Sequence, residues 1–179
     1  MRFFFFGLLA DPDILNEVAG RPIPGHPFPS ARLSGHRLVH LRRETFPMLI
    51  ADAGHHVPGV LVDGLSEAEV ERIIFFESVE YEPRPLTVEF DGTQVEAHAF
   101  ATTARAVAHH EPWTFQAWQA RFKAHDLREA MLWMSFHGVV DVAEADRLWE
   151  AARAAGRPFE DLVAEVCGAA PKAKAGGVR

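Results

Sequence analysis

The chain of 179 residues carries 25 acidic side chains against 18 Lys/Arg, a net charge of -7, and is 48% apolar and 24% charged. That supply of apolar residues suits one core of ordinary domain size, or a domain with a helical appendage, and excludes a wholly disordered chain. The acidic balance excludes a nucleic-acid surface, which needs clustered cations to neutralise phosphates; Arg42-Arg43 and the tail cations Lys172, Lys174 and Arg179 read as solvated positions.

A single cysteine, Cys167, cannot form an internal disulfide, and beside Leu162, Val163 and Val166 it reads as a packed helical residue. The opening MRFFFFGLLADPD has an apolar stretch that meets Asp11-Pro12-Asp13 without a small-residue cleavage site. No apolar run approaches the ~18 residues of a membrane span. A buried first strand and a cytoplasmic location are the expectation, with no membrane partner.

Arg2–Phe6, closed by Gly7, predicts a strand buried on both faces. Asp11 as N-cap and Pro12 at the first helical position predict a helix over Pro12–Ala19, stopped at Gly20. Pro22, Pro24, Pro27 and Pro29 make Arg21–Ser30 an extended loop. Alternation predicts a strand over Ala31–Arg42, then two short strands, Phe46–Ile50 and Val57–Val62, separated by a turn at Ala51–His56. Ser66-Glu67-Ala68-Glu69 is a capping box opening a helix over Glu67–Phe76. Pro83 and Pro85 argue against a central strand across themselves, and Leu86–Phe90 with Val95–Thr102 reads as a hairpin about Asp91-Gly92.

From Pro112 the pattern turns helical: an apolar stripe over Trp113–His137, then Val142–Ala155 and Phe159–Val166. The Ala/Gly/Lys-rich residues from Ala169 predict a disordered tail. The expected organisation is an α+β domain over 1–105, a helical extension over 106–168 packed on it, and the tail 169–179.

Phosphate-binding glycine loops, Gly-x-Ser-x-Gly and His-Glu-x-x-His are absent. The adjacent pairs His55-His56 and His109-His110 would point to opposite faces of a strand, and His125 and His137 lack a linking carboxylate–histidine motif, so no metal and no cofactor are expected. Phe75-Phe76-Glu77 stands out instead. Glu77 ends an apolar helix, where a carboxylate is unfavourable with the helix dipole. Turned inward, it would be desolvated and titrate near neutrality, as a proton shuttle needs; turned outward, it is a surface residue.

Five fragments, in order, resemble the γ-glutamyl cyclotransferase-like superfamily. They are Phe6-Gly7-Leu8-Leu9 for a Tyr-Gly-Ser/Thr-Leu loop, Gly35-His36-Arg37, Phe46-Pro47-Met48-Leu49, Gly59-Val60-Leu61, and Ile73-Ile74-Phe75-Phe76-Glu77-Ser78 with Tyr81. The resemblance covers Arg2–Thr102 and leaves Trp113–Val166 outside. It implies a small mixed β-barrel with flanking helices, no metal requirement, Glu77 as general acid/base, and Phe6, Gly7, Leu8, Leu9 and Tyr81 about the substrate. The implied chemistry is attack of a γ-glutamyl substrate's α-amine on its own γ-carbonyl, releasing an amine and 5-oxoproline. Phe6 and Leu8 remove the family's phenol and hydroxyl, Ile74 its Asp, and Ser78 its Gly, which makes the loop more apolar.

Two other functions compete with the enzyme. One is a non-catalytic module holding a small metabolite on the same fold. The other is an interaction protein docking through the Trp113–Val166 helices, which requires Trp118 and Phe122 to be exposed. The amine half of the substrate and the oligomeric state are not encoded legibly.

Overall fold

A computed structural model describes residues 1–103 and 107–168. The expected disordered tail, 169–179, lies outside the described residues.

The strands are β1 (Phe3–Phe5), β2 (Ser30–Leu41), β3 (Pro47–Val62), β4 (Tyr81–Phe90), β5 (Thr93–Thr102) and β6 (Ala108–Pro112). The helices are α1 (Pro12–Ala19), α2 (Glu67–Phe76), α3 (Phe115–Arg121), α4 (Lys123–Met134), α5 (Val142–Ala154) and α6 (Phe159–Cys167). The order β3-β1-β5-β4-β2, with β2 pairing back to β3, closes a five-stranded barrel, and β6 adds to β2 outside it. β1 and β5 are parallel and the other pairings antiparallel, so the barrel is mixed and the fold is α+β. Among the described residues no helix is long and apolar enough to cross a membrane.

β1 explains the run of phenylalanines. Successive side chains on a strand face opposite ways. Phe4 and Phe6 fill the barrel with Leu33, Val57 and Val88. Phe3 and Phe5 face the helices, in a core with Ile14, Ile73 and Trp118. Burying each such ring contributes roughly 1.5–3 kcal/mol. Phe4 also dictates Gly59: a Cβ there would lie 2.5 Å from the Phe4 ring and 2.5 Å from the Phe5 carbonyl.

Two strand expectations need correction. β3 runs unbroken through Ala51–His56, because those residues stay in the ribbon as a wide bulge. Ser34 pairs with His56 and His36 with Ala51, so residues 52–55 stand opposite Gly35 alone, whose φ is 73°. Asp52 fixes the bulge, accepting from Gly54 N–H at 3.3 Å and meeting His55 at 2.9 Å and Arg37 at 3.1 Å. β4, in turn, runs through Pro83 and Pro85, paired to β5 all along. Residues two apart direct their backbone polar groups to the same edge, so both missing N–H groups fall on one side. On that side β4 meets β2 only at Arg32 and Glu89, so the prolines cost no ladder bond.

The local helix signals act as read. Asp11 accepts from Asp13 N–H, Gly20 closes α1 at φ 81°, and Ser66 and Glu69 cap each other at α2. The expected stripe over Trp113–His137 is divided into α3 and α4 at Phe122, whose φ of -124° leaves the helical region. Trp118 is 1% exposed within the main core, and Phe122 packs against it, which removes the support for docking through those residues. Buried Asp11 receives Gln119 at 3.1 Å and Lys123 at 2.8 Å, and Trp133 Nε1 donates to the Phe75 carbonyl at 3.1 Å. α3 and α4 are thereby fastened to the start of α1 and the end of α2.

Candidate active site

Glu77 is the C-cap of α2, its N–H donating to the Ile73 carbonyl at 3.0 Å. Ile73 and Phe75 bury one side of the helix while Ile74 is exposed. Ser78 then takes φ 59°, and the chain turns into β4. That left-handed conformation is one glycine adopts freely. Ser78 N–H donates to the Phe75 carbonyl at 3.2 Å and its hydroxyl to Asp146 on α5 at 3.2 Å. The turn aims Glu77 inward. Among the described residues its carboxylate has no hydrogen-bond donor and no cation, and burial pushes its pKa up to about 8.

Facing it is the loop after β1. Leu8–Ala10 form one 3-10 turn, with Ala10 N–H bonded to the Gly7 carbonyl at 3.0 Å and Asp11 N–H to Leu8 at 2.9 Å. The leading N–H groups of such a turn have no acceptor within it. The Leu8 and Leu9 side chains point into the helix-side core and Phe6 into the barrel, so what the loop offers a ligand is backbone. Gly7 is closely overlaid: a Cβ there would come within 3.1 Å of Pro47. Tyr81, at the start of β4, donates its hydroxyl to the Pro47 carbonyl at 2.8 Å. Burial first, and then Glu77, Glu80 and Glu44, hold that phenol well above its ordinary pKa.

Phe6, Gly7, Leu8, Leu9, Glu77 and Tyr81 all line one cavity of about 380 Å³. Its remaining wall was not foreseen. Glu44 and Thr45 come from the β2–β3 turn, Asp126, Glu129 and Trp133 from α4, and Asp146, Trp149, Glu150 and Arg153 from α5. Residues 146, 150 and 153 follow helical spacing and so share a face of α5. In sequence that stripe reads as a solvated helix surface; its one distinguishing signal was Trp149 beside it.

The wall is acidic. Among the described residues Arg153 is its one cation, ion-paired with Glu44 and 3.5 Å from Glu150. Burial, reinforced by Glu44, Asp146 and Glu150, pushes Glu80 to about 7. Burial also raises Glu44 and Glu129. Asp126 is satisfied, accepting from Thr45 at 2.6 Å, Trp118 Nε1 at 2.7 Å and His125 at 2.9 Å.

His125, Asp126 and Glu129 bring possible metal-ligand atoms within 4.8 Å of one another, a grouping the sequence reading overlooked by weighing His125 only against His137. Both Asp126 oxygens are already taken by N–H and O–H donors, and the Asp126 bond raises the His125 pKa. Asp126 thus braces α4 against the β2–β3 turn through Thr45, and His125 lies between it and Glu129, 3.6 Å from the latter.

Comparison with known proteins bears on the whole arrangement. The profile of the family described as gamma-glutamyl cyclotransferase, AIG2-like, matches residues 3–120, reaching into α3. AIG2-like protein C of Arabidopsis thaliana is 27% identical over 124 residues, 67% of this chain and 70% of that protein. An Arabidopsis thaliana protein solved in solution superposes with TM-score 0.53 at 22% identity, over 73% of this chain and 87% of that one. YkqA from Bacillus subtilis superposes with TM-score 0.50 at 18% identity, over 86% of this chain and 54% of its own. These likenesses support the fold, and the family profile covers well over half the chain: it belongs to the gamma-glutamyl cyclotransferase, AIG2-like family.

Proposed function

We propose that the protein is a metal-independent γ-glutamyl cyclotransferase in which Glu77 shuttles protons. The observation that carries the reading is a half-buried carboxylate, unpaired among the described residues and pushed up by desolvation to about 8, on the wall of a cavity it shares with the Gly7–Leu9 loop. In the reaction the substrate's α-nitrogen bonds to its own γ-carbonyl carbon and the γ-amide C–N bond breaks. The α-ammonium gives up two protons to become the lactam N–H, and the departing nitrogen gains two to leave as ammonium. One carboxylate passing protons singly balances the exchange, and a pKa near the working pH suits both directions. The Leu8 and Leu9 N–H groups, which have no backbone acceptor among the described residues, are the candidates for steadying the oxyanion, which fits a loop whose side chains face away. Holding the flexible glutamyl chain folded supplies the proximity gain of an intramolecular reaction.

Incubation with γ-glutamyl amides and assay of 5-oxoproline tests this. Turnover lost in Glu77→Gln with the fold intact is the expected result. Saturable binding of γ-glutamyl amides without turnover would instead favour a binding module, which the apolar Phe6 and Leu8 side chains would suit.

A further inference from the structure

We infer that Trp133 and Asp146, on helices that follow the family match, are positioning residues for the reaction: they fix the chain on either side of Glu77 and so set where its carboxylate meets the substrate. The inference rests on the cyclotransferase reading and adds to the site a part of the chain beyond residue 120, where the family profile ends. Glu77 stands between the last turn of α2 and the start of β4. The last carbonyls of a helix have no partner within it, and helix ends fray unless those groups are taken up. At the Phe75 carbonyl, two residues before Glu77, the Ser78 N–H donates at 3.2 Å and Trp133 Nε1 on α4 adds a second bond at 3.1 Å. The Phe75 and Trp133 rings also pack, with centroids 5.6 Å apart, and both residues are buried.

Immediately after Glu77 the second anchor follows. Ser78 holds φ 59°, where glycine would be unstrained. A side chain kept in a strained conformation beside the reacting group points to a task for that side chain. Its hydroxyl is what glycine would lack, and it donates to Asp146 on α5 at 3.2 Å. Trp149 joins the two anchors: it meets Trp133 edge-on at 5.5 Å and stacks on Phe159 of α6 at 3.7 Å, so α4, α5 and α6 pack into one wall of the cavity. Glu77 is thus pinned from both sides to that wall. Reaction rate is steeply sensitive to such placement: a displacement of about 1 Å costs about a hundredfold.

The test is steady-state kinetics of Trp133→Phe, Asp146→Ala and Asp146→Asn on the γ-glutamyl amide that the wild type turns over fastest. Phenylalanine keeps a packed ring and loses the donor; asparagine keeps an acceptor oxygen for Ser78 and loses the charge. The expected result is a kcat about tenfold lower in Trp133→Phe and in Asp146→Ala, with KM changed by less than about twofold, and most of kcat recovered in Asp146→Asn. Ile14→Val, in the core and outside the cavity lining, lowers stability alone and leaves kcat unchanged. Unchanged kcat in Trp133→Phe or Asp146→Ala, or an Asp146→Asn as slow as Asp146→Ala, overturns the inference while cyclotransferase activity stands. If the wild type turns over no γ-glutamyl amide, the cyclotransferase reading fails, and amide hydrogen exchange then decides the anchors. Exchange at Glu77 and Ser78 that is faster in Trp133→Phe and Asp146→Ala than in Ile14→Val upholds them, and equal exchange overturns them.

Discussion

The Ser78 hydroxyl donates to Asp146 at 3.2 Å, tying the residue that follows Glu77 to helix α5. Ser78 holds φ 59°, where a side chain other than glycine is strained by roughly 1–2 kcal/mol. The bond to Asp146 offsets part of that strain. Ser78→Ala keeps the strain and loses the bond, whereas Ser78→Gly loses both. Denaturant unfolding is therefore expected to find Ser78→Gly more stable than Ser78→Ala by about 1 kcal/mol.

Glu77 couples stability to pH in a definite direction. Its pKa rises from 4.5 to about 8 on folding, so between those values the native state holds a proton that the unfolded chain does not. The contribution is complete below 4.5 and is lost as pH rises to about 8. Its slope is about 1.4 kcal/mol per pH unit at most. Glu77→Gln removes the dependence, so the melting temperature of the variant should overtake that of the wild type progressively from pH 5 to pH 8. Parallel curves would contradict the desolvation of its carboxylate.

The same titration predicts the pH profile of catalysis. Proton abstraction needs the ionised carboxylate, so kcat/KM should rise with pH through a midpoint near 8. Glu80→Gln should leave that midpoint in place, because burial rather than Glu80 raises Glu77.

Much of this was legible locally. Asp11-Pro12, Gly20 and the Ser66–Glu69 box act within one turn of chain, so their physics is complete in sequence. Pro83 and Pro85 misled because their effect depends on which edge of β4 is paired, a tertiary fact. Residues 52–55 resemble a turn and become a bulge because β2 continues alongside them. Glu77 was conspicuous for standing after Phe75 and Phe76 on a helix end. Asp146, Glu150 and Arg153 were not, since only the docking of α5 turns a charged stripe into a cavity wall.

Asp126 braces another wall of the same cavity. It is 5% exposed and accepts from Thr45, Trp118 and His125, linking α4 to the β2–β3 turn. Asp126→Ala strands the buried Trp118 N–H and the half-buried Thr45 hydroxyl and should destabilise the fold by about 3 kcal/mol, read from denaturant midpoints. Asp126→Asn retains one acceptor oxygen and should lose less.

The most direct measurement is 5-oxoproline released from a panel of γ-glutamyl amides at pH 8 by the wild-type chain and by Glu77→Gln. Release by the wild type, falling by about a hundredfold or more in a variant that melts cooperatively, is the predicted result. Undiminished release by Glu77→Gln would contradict its role as the proton shuttle.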